Sequence, residues 1–140
     1  MKLQTIGHLR TPYRTLAECP SSPAEVTART RIELLWKYLP ALEEIEAASH
    51  LIVLYWLDAA NRAVLRIATR VDGKVRGVFA NRSPMRPNPI AIATVKLFEL
   101  EAHTIVVSGL DCLDGTPLLD LKPYIPALDC VPDARVEWMK

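Results

Sequence analysis

Three prolines within six residues, Pro84, Pro87 and Pro89, bar the first half of segment 77–100 (GVFANRSPMRPNPIAIATVKLFEL) from being helical. Each lacks the amide hydrogen a helix needs and pushes the residue before it toward extended backbone. The segment is therefore expected as a stiff, extended arm carrying Arg82, Arg86 and Asn88. In extended chain, residues four apart face the same side roughly 13 Å apart, so Arg82 and Arg86 would line one wall of a site. A rigid arm loses little entropy when a ligand docks on it. A proline-stiffened surface crossover with solvated arginines is the competing reading, and the segment alone leaves both open.

At 140 residues the chain is expected to form one domain spanning 1–140, long enough for a core without staples. Half of its residues are hydrophobic (50%) and mean hydropathy is +0.12. Some of that apolar content would lie at an interface with a second copy. The longest apolar run, residues 51–57, is strand length and far short of the roughly 18 residues of a membrane helix. The first residues, MKLQTIGHLRTPY, hold no secretory apolar core. Three cysteines, Cys19, Cys112 and Cys130, form no CxxC pair and are odd in number. A reduced, cytoplasmic protein without membrane or metal partners is the expectation.

Net charge is only +1, which gives no case for DNA and no strong one for nucleic acid in bulk. The distribution is less even. Seven basic residues fall between Arg62 and Arg86 (Arg62, Arg66, Arg70, Lys74, Arg76, Arg82, Arg86), against Asp72 alone. Between Asp111 and Asp133 five aspartates face only Lys122. An anionic partner, self-complementary assembly and a solvated face with internal pairing all fit this pattern. If phosphates are bound, the basic stretch with Arg66, Arg70 and Arg76 is the expected contact.

Hydrophobic periodicity predicts a mainly β chain with one short helix. Strands are expected at 3–9, 31–36, 51–57, 64–71, 74–80, 90–100, 104–108 and 118–122, with an irregular loop at 11–23. Residues 51–57 are apolar and rich in β-branched and aromatic types, which marks a central strand. Asp72-Gly73 reads as a hairpin turn. The helix is placed at 40–48, PALEEIEAA, with proline in its first turn and Glu43 and Glu44 near its positive end. Many short strands with close turns favour a barrel or sandwich.

A second motif begins at Asp111: DCLDGTPLLDLKPYIPALD. Asp114-Gly115 demands a tight turn, and Thr116-Pro117 leaves it extended. Such a turn can offer backbone groups to a purine or ribose, and its carboxylates can hold hydroxyls or attract a cation. Lys122 and Tyr124 flank Pro123 on another stiff stretch. An ordinary hairpin turn is the plain alternative. His50 reads as a hydrogen-bonding cap, His8 and His103 as surface strand residues, and no Cys/His spacing fits zinc.

Taken together, RSPMRPNPI and, about twenty residues later, LDGTPLLDLKPY resemble the TsaA-like family, also called TrmO or VirR-like. IGHLRTPY is similar to its opening strand and SHLIVLYWLD to its central strand. The resemblance implies a compact β-barrel-like domain that dimerises and binds S-adenosyl-L-methionine. It also implies N6-methylation of threonylcarbamoyladenosine at position 37 of tRNA. No glycine-rich dinucleotide loop is present, which argues against a Rossmann-type methyltransferase. By position, the resemblance puts cofactor contacts at Pro23, Asp58, Arg82, Ile92, Asp114, Gly115, Thr116 and Pro117. Asn88, Lys122 and Tyr124 are then the polar groups for the transferred methyl or its acceptor.

The chain departs from the family where Ser21-Ser22 replaces an Arg-Gln pair, and where Ala91 and Ala93 stand for glycine and serine. The added methyl at Ala91 narrows a close backbone approach. The C-terminal extension of longer members is not in this sequence, so a small RNA footprint is expected. A SAM-dependent enzyme with a small-molecule or protein acceptor, and a non-catalytic SAM-binding module, are the alternatives to a tRNA methyltransferase.

Overall fold

The apolar run at the middle of the sequence becomes β3 (His50–Trp56), whose alternate residues Leu51, Val53 and Tyr55 are buried. In this computed structural model, which describes residues 1–26 and 28–139, β3 pairs with a strand on either side. The other barrel strands are β1 (Gly7–Arg10), β2 (Arg29–Leu34), β6 (Ile90–Glu101), β7 (Thr104–Ser108) and β8 (Thr116–Pro123). They close in the order β1-β2-β7-β6-β3-β8, all pairs antiparallel. The mainly β, barrel-like expectation therefore holds.

Inward residues from every strand fill the barrel: Leu9, Ile32, Leu51, Val53, Val95, Ile105, Val107 and Leu118 are essentially fully buried. Period-2 alternation along each strand puts these on one face and polar residues on the other. Gly7 is required where β1 crosses β2, because a Cβ there would collide with the Glu33 carbonyl. β6 carries a bulge between Leu97 and Glu99, which lets a 12-residue strand bend round the barrel.

Two compact units are present: Met1–Asp58 with Ile90–Tyr124, which contains the barrel, and Ala59–Pro89 with Ile125–Lys140. In the second unit, β4 (Arg66–Ala68) and β5 (Val75–Gly77) form a two-stranded ribbon. Its strands are shorter than expected because the turn is wider than two residues. Thr69 N–H donates to Lys74 O and Gly73 N–H to Thr69 O, with Gly73 at φ +70.

The helix expected at 40–48 is not α-helical. Residues Trp36–Leu42 and Ile45–Ala47 are 3₁₀ turns, separated by Glu44 at φ 62. Leu39, Leu42, Ile45 and Ala48 recur at every third position and all pack on the core. That spacing stacks on one face of a 3₁₀ turn but drifts around an α-helix. The short α-helix lies elsewhere, at α1 (Pro126–Asp129), where Asp129 Oδ2 accepts the Ile125 N–H at 2.8 Å.

The arm at 77–89 is also not simply extended. A 3₁₀ turn at Val78–Ala80 opens it, and the chain then winds round the half-buried Arg86 guanidinium. That group donates to the carbonyls of Val78 at 2.6 Å, Asn81 at 3.2 Å and Ser83 at 3.2 Å. Arg82 and Arg86 therefore do not form one ligand wall. Among the described residues, no helix is long and apolar enough to cross a membrane.

Candidate functional site

The Asp-Gly turn leads into β8 and is stitched to the segment leaving β1. Thr11 N–H donates to Asp114 Oδ1 at 3.1 Å, and Thr11 Oγ1 donates to Cys112 O at 2.7 Å. Asp114 N–H reaches Tyr13 O and Gly115 N–H reaches Leu9 O, both at 2.8 Å. Gly115 sits at φ +81, the left-handed region that glycine enters without strain. Thr116 is buried; its N–H and hydroxyl both donate to Leu113 O, at 3.2 and 2.7 Å. The turn's three amides are thus engaged internally, and Asp114 Oδ2 is the oxygen left to face a ligand. Thr116 holds the turn, and Pro117 carries it into β8 opposite His8.

Just before the turn, Tyr55 from the central strand donates its hydroxyl to Asp111 Oδ1 at 2.8 Å. A buried tyrosine hydroxyl needs such a partner, which ties the turn's entry to the barrel core. Burial pushes the Cys112 thiol up to about 12, and burial, with Asp111 nearby, raises that of Cys19. Neither is a thiolate nucleophile at neutral pH.

Pro23 opens a short 3₁₀ turn, Pro23–Glu25, and Ser21 N–H is held by Glu25 Oε2 at 3.1 Å. Its carbonyl lies 3.7 Å from where a Cβ on Gly109 would stand, beside Thr94 O at 3.5 Å. Ile92 lies two residues before Thr94 on β6, is 41% exposed, and pairs with Leu54 of β3. On the other flank of β3, Lys122 pairs with Ile52. Lys122 Nζ lies 2.8 Å from Asp120 Oδ2, and that hydrogen bond holds its ammonium above the ordinary lysine range. Lys122 is a cation, not a base, at neutral pH. Tyr124 is half-buried and its N–H donates to His50 O at 3.0 Å. Asp58, exposed, follows directly on the end of β3.

Arg82 and Asn88 belong to the second unit. Asn88 Oδ1 accepts from Arg62 at 3.1 Å, and the same guanidinium donates to Pro87 O at 2.7 Å. Arg62 is thus the anchor of the Pro-Asn-Pro stretch. Arg82 is exposed in the same loop. Sequence reasoning missed Arg62, Thr11, Tyr13 and Tyr55, all of which position predicted residues. Only Tyr55, a hydroxyl inside an apolar strand, left a readable signal.

The chemistry present fits a nucleoside cofactor with a sulfonium centre. Asp114 Oδ2 and the exposed Asp58 carboxylate suit hydroxyls or positive charge, and the exposed Ile92 offers an apolar surface. Among the described residues, no group of His, Cys, Asp and Glu is arranged to hold a metal.

The comparisons with known proteins agree with this frame. An S-adenosyl-L-methionine-binding protein of Archaeoglobus fulgidus is 40% identical, over 94% of this chain and 94% of its own. The tRNA (adenine(37)-N6)-methyltransferase of Escherichia coli is 35% identical over 98% of this chain and 63% of its own length. The crystal structure of TrmO from Pseudomonas aeruginosa superposes with a TM-score of 0.79 at 36% identity, covering 97% of this chain and 61% of that one. The chain spans as little as 38% of the length of another relative. Residues 8–130 match the tRNA-methyltransferase O N-terminal domain, and the chain belongs to that family.

Proposed function

We propose that this chain binds S-adenosyl-L-methionine and transfers its methyl group to N6 of adenosine 37 in tRNA, in the cytoplasm. The observation that carries the reading is the pinned Asp114-Gly115 turn, whose geometry is fixed before any ligand arrives. A preorganised wall of this kind suits methyl transfer, which depends on in-line placement of an acceptor lone pair. When bound, the cofactor supplies an electrophilic methyl on a cationic sulfonium. The chain's part is to bind and orient. Cofactor contacts are proposed at Pro23, Asp58, Arg82, Ile92 and the 114–117 turn. Asn88, Lys122 and Tyr124 are proposed for the acceptor, with Lys122 acting as a fixed cation.

Transfer of tritium from labelled SAM into tRNA tests the reading. Calorimetry should show binding of SAM to the parent and roughly tenfold weaker binding to Asp114→Ala, about 1.4 kcal/mol. Absence of binding at millimolar SAM overturns it. The Archaeoglobus relative of similar coverage is named for binding alone, which favours cofactor binding without catalysis as the second reading. Binding without transfer into tRNA, protein or small-molecule fractions would select it.

We also propose a homodimer. Trp36 and Phe79, each 82% exposed, support it, together with Ile90 and Ile92 on the outer face of β6. Light scattering across a dilution series should return twice the 15.7 kDa chain mass. A monomer at micromolar concentration removes the proposal.

A further inference from the structure

Arg10 and Arg31 stand directly opposite one another across the β1–β2 ladder, and Arg29 lies two residues from Arg31 on the same outer face. Like charges paired across a ladder are destabilising, and this pairing recurs beside an open cavity. A cavity of about 430 Å³ is lined by Arg10, Arg29 and Arg31 together with Thr11, Pro12 and neighbouring β2 residues, none of them acidic.

The surrounding acids only partly offset the cations. Arg10 Nε lies 3.2 Å from Glu33, and an arginine nitrogen of Arg31 lies 3.8 Å from Glu101. Arg29 has a different support: its guanidinium stacks 4.1 Å over the Phe98 ring, and Lys96 Nζ lies 5.5 Å from the same ring. Stacking holds a guanidinium in place without neutralising it. Four cations thus meet two carboxylates on this part of the barrel. The cavity also abuts the candidate site. Thr11, one of its lining residues, binds Asp114, and Arg10 would lie 3.7 Å from a side chain placed on Gly115.

We propose that this cavity seats a backbone phosphate of the RNA, next to the nucleotide that is methylated. The inference rests on the tRNA reading above and gives it a contact surface on the barrel. Guanidiniums recognise phosphate by paired hydrogen bonds as well as by charge. A phosphate here would relieve the Arg10–Arg31 repulsion while lying one residue from the Asp114 turn.

The test measures tRNA binding by fluorescence anisotropy across a salt series for the parent, Arg29→Ala/Arg31→Ala and Arg66→Ala/Arg70→Ala. The barrel double variant should bind at least about tenfold more weakly at low salt. Its slope of log affinity against log salt should be shallower by roughly two, one per lost phosphate contact. The ribbon variant should lose less, and SAM affinity should be unchanged in both. If the barrel variant does not fold, Arg29→Gln/Lys96→Gln with the same readout replaces it. Parent-like tRNA binding by the barrel variant overturns this proposal and leaves methyl transfer standing. A parent that neither binds tRNA at low salt nor labels it overturns both.

Discussion

In the second unit Arg86 donates to three backbone carbonyls, Arg62 to Pro87 and Asn88, and Arg76 to Asp72 and Thr69. In the barrel unit Arg10, Arg29 and Arg31 turn outward along two adjacent strands and line a cavity. The sequence shows the first set as the denser basic cluster. Density along the chain is a poor guide to where positive charge is available. A short unit with little sheet uses guanidiniums to satisfy carbonyls that no ladder pairs, whereas a closed ladder has no such need and leaves its outer arginines for other partners.

The largest expected effect that sharpens this contrast is at Arg86. Arg86→Ala leaves three carbonyls without their donor and should lower local stability of residues 78–83 by about 2 kcal/mol or more. Native-state hydrogen exchange reads this directly, with barrel amides unchanged. In the same measurement, Arg29→Ala/Arg31→Ala should stay within about 0.5 kcal/mol of the parent. An equal loss in both variants would erase the distinction between the two sets.

A smaller effect is expected in the ribbon turn. Asp72 accepts from both terminal nitrogens of Arg76 at 2.7 Å, while the Arg76 guanidinium lies 4.4 Å from the Trp138 ring centre. The hydrogen bonds from Arg76, then that from Thr69, hold the Asp72 carboxyl well below the usual carboxylate range. Because the folded value is depressed, the contribution is present above a pH of about 4 and is lost as pH falls further. Following the Trp138 indole by NMR from pH 6 to pH 2 should show the turn loosening only at the acid end. Asp72→Asn should show the loosened signal at every pH. An indole signal in Asp72→Asn that matches the parent at pH 6 would mean the ion pair does not organise the turn.

What was legible follows from how local each feature is. The β6–β7 hairpin and central β3 were readable because alternation and β-branched content are properties of a few consecutive residues. The prolines of 84–89 correctly forbade a helix, but the winding of that loop depends on Arg86 reaching back to Val78, which no local preference records. The 3₁₀ turns near residue 40 were announced by the spacing of Leu39, Leu42, Ile45 and Ala48, yet a proline followed by glutamates outweighed it in the reading. At the site, Asp114 and Gly115 were marked by the turn they require. Their support from Thr11 lies 103 residues away in sequence, and long-range pairing leaves no trace in a single chain.

Closure of the barrel has a consequence for how this protein is recognised. Each of its six strands is flanked on both sides, with β8 returning to β1. No barrel strand presents a row of unpaired amides, so a partner cannot add itself to this sheet as a further strand. Whatever associates with the barrel, a second copy included, must read side chains. A substitution on its outer face therefore changes partner choice directly, with no backbone template to mask the change.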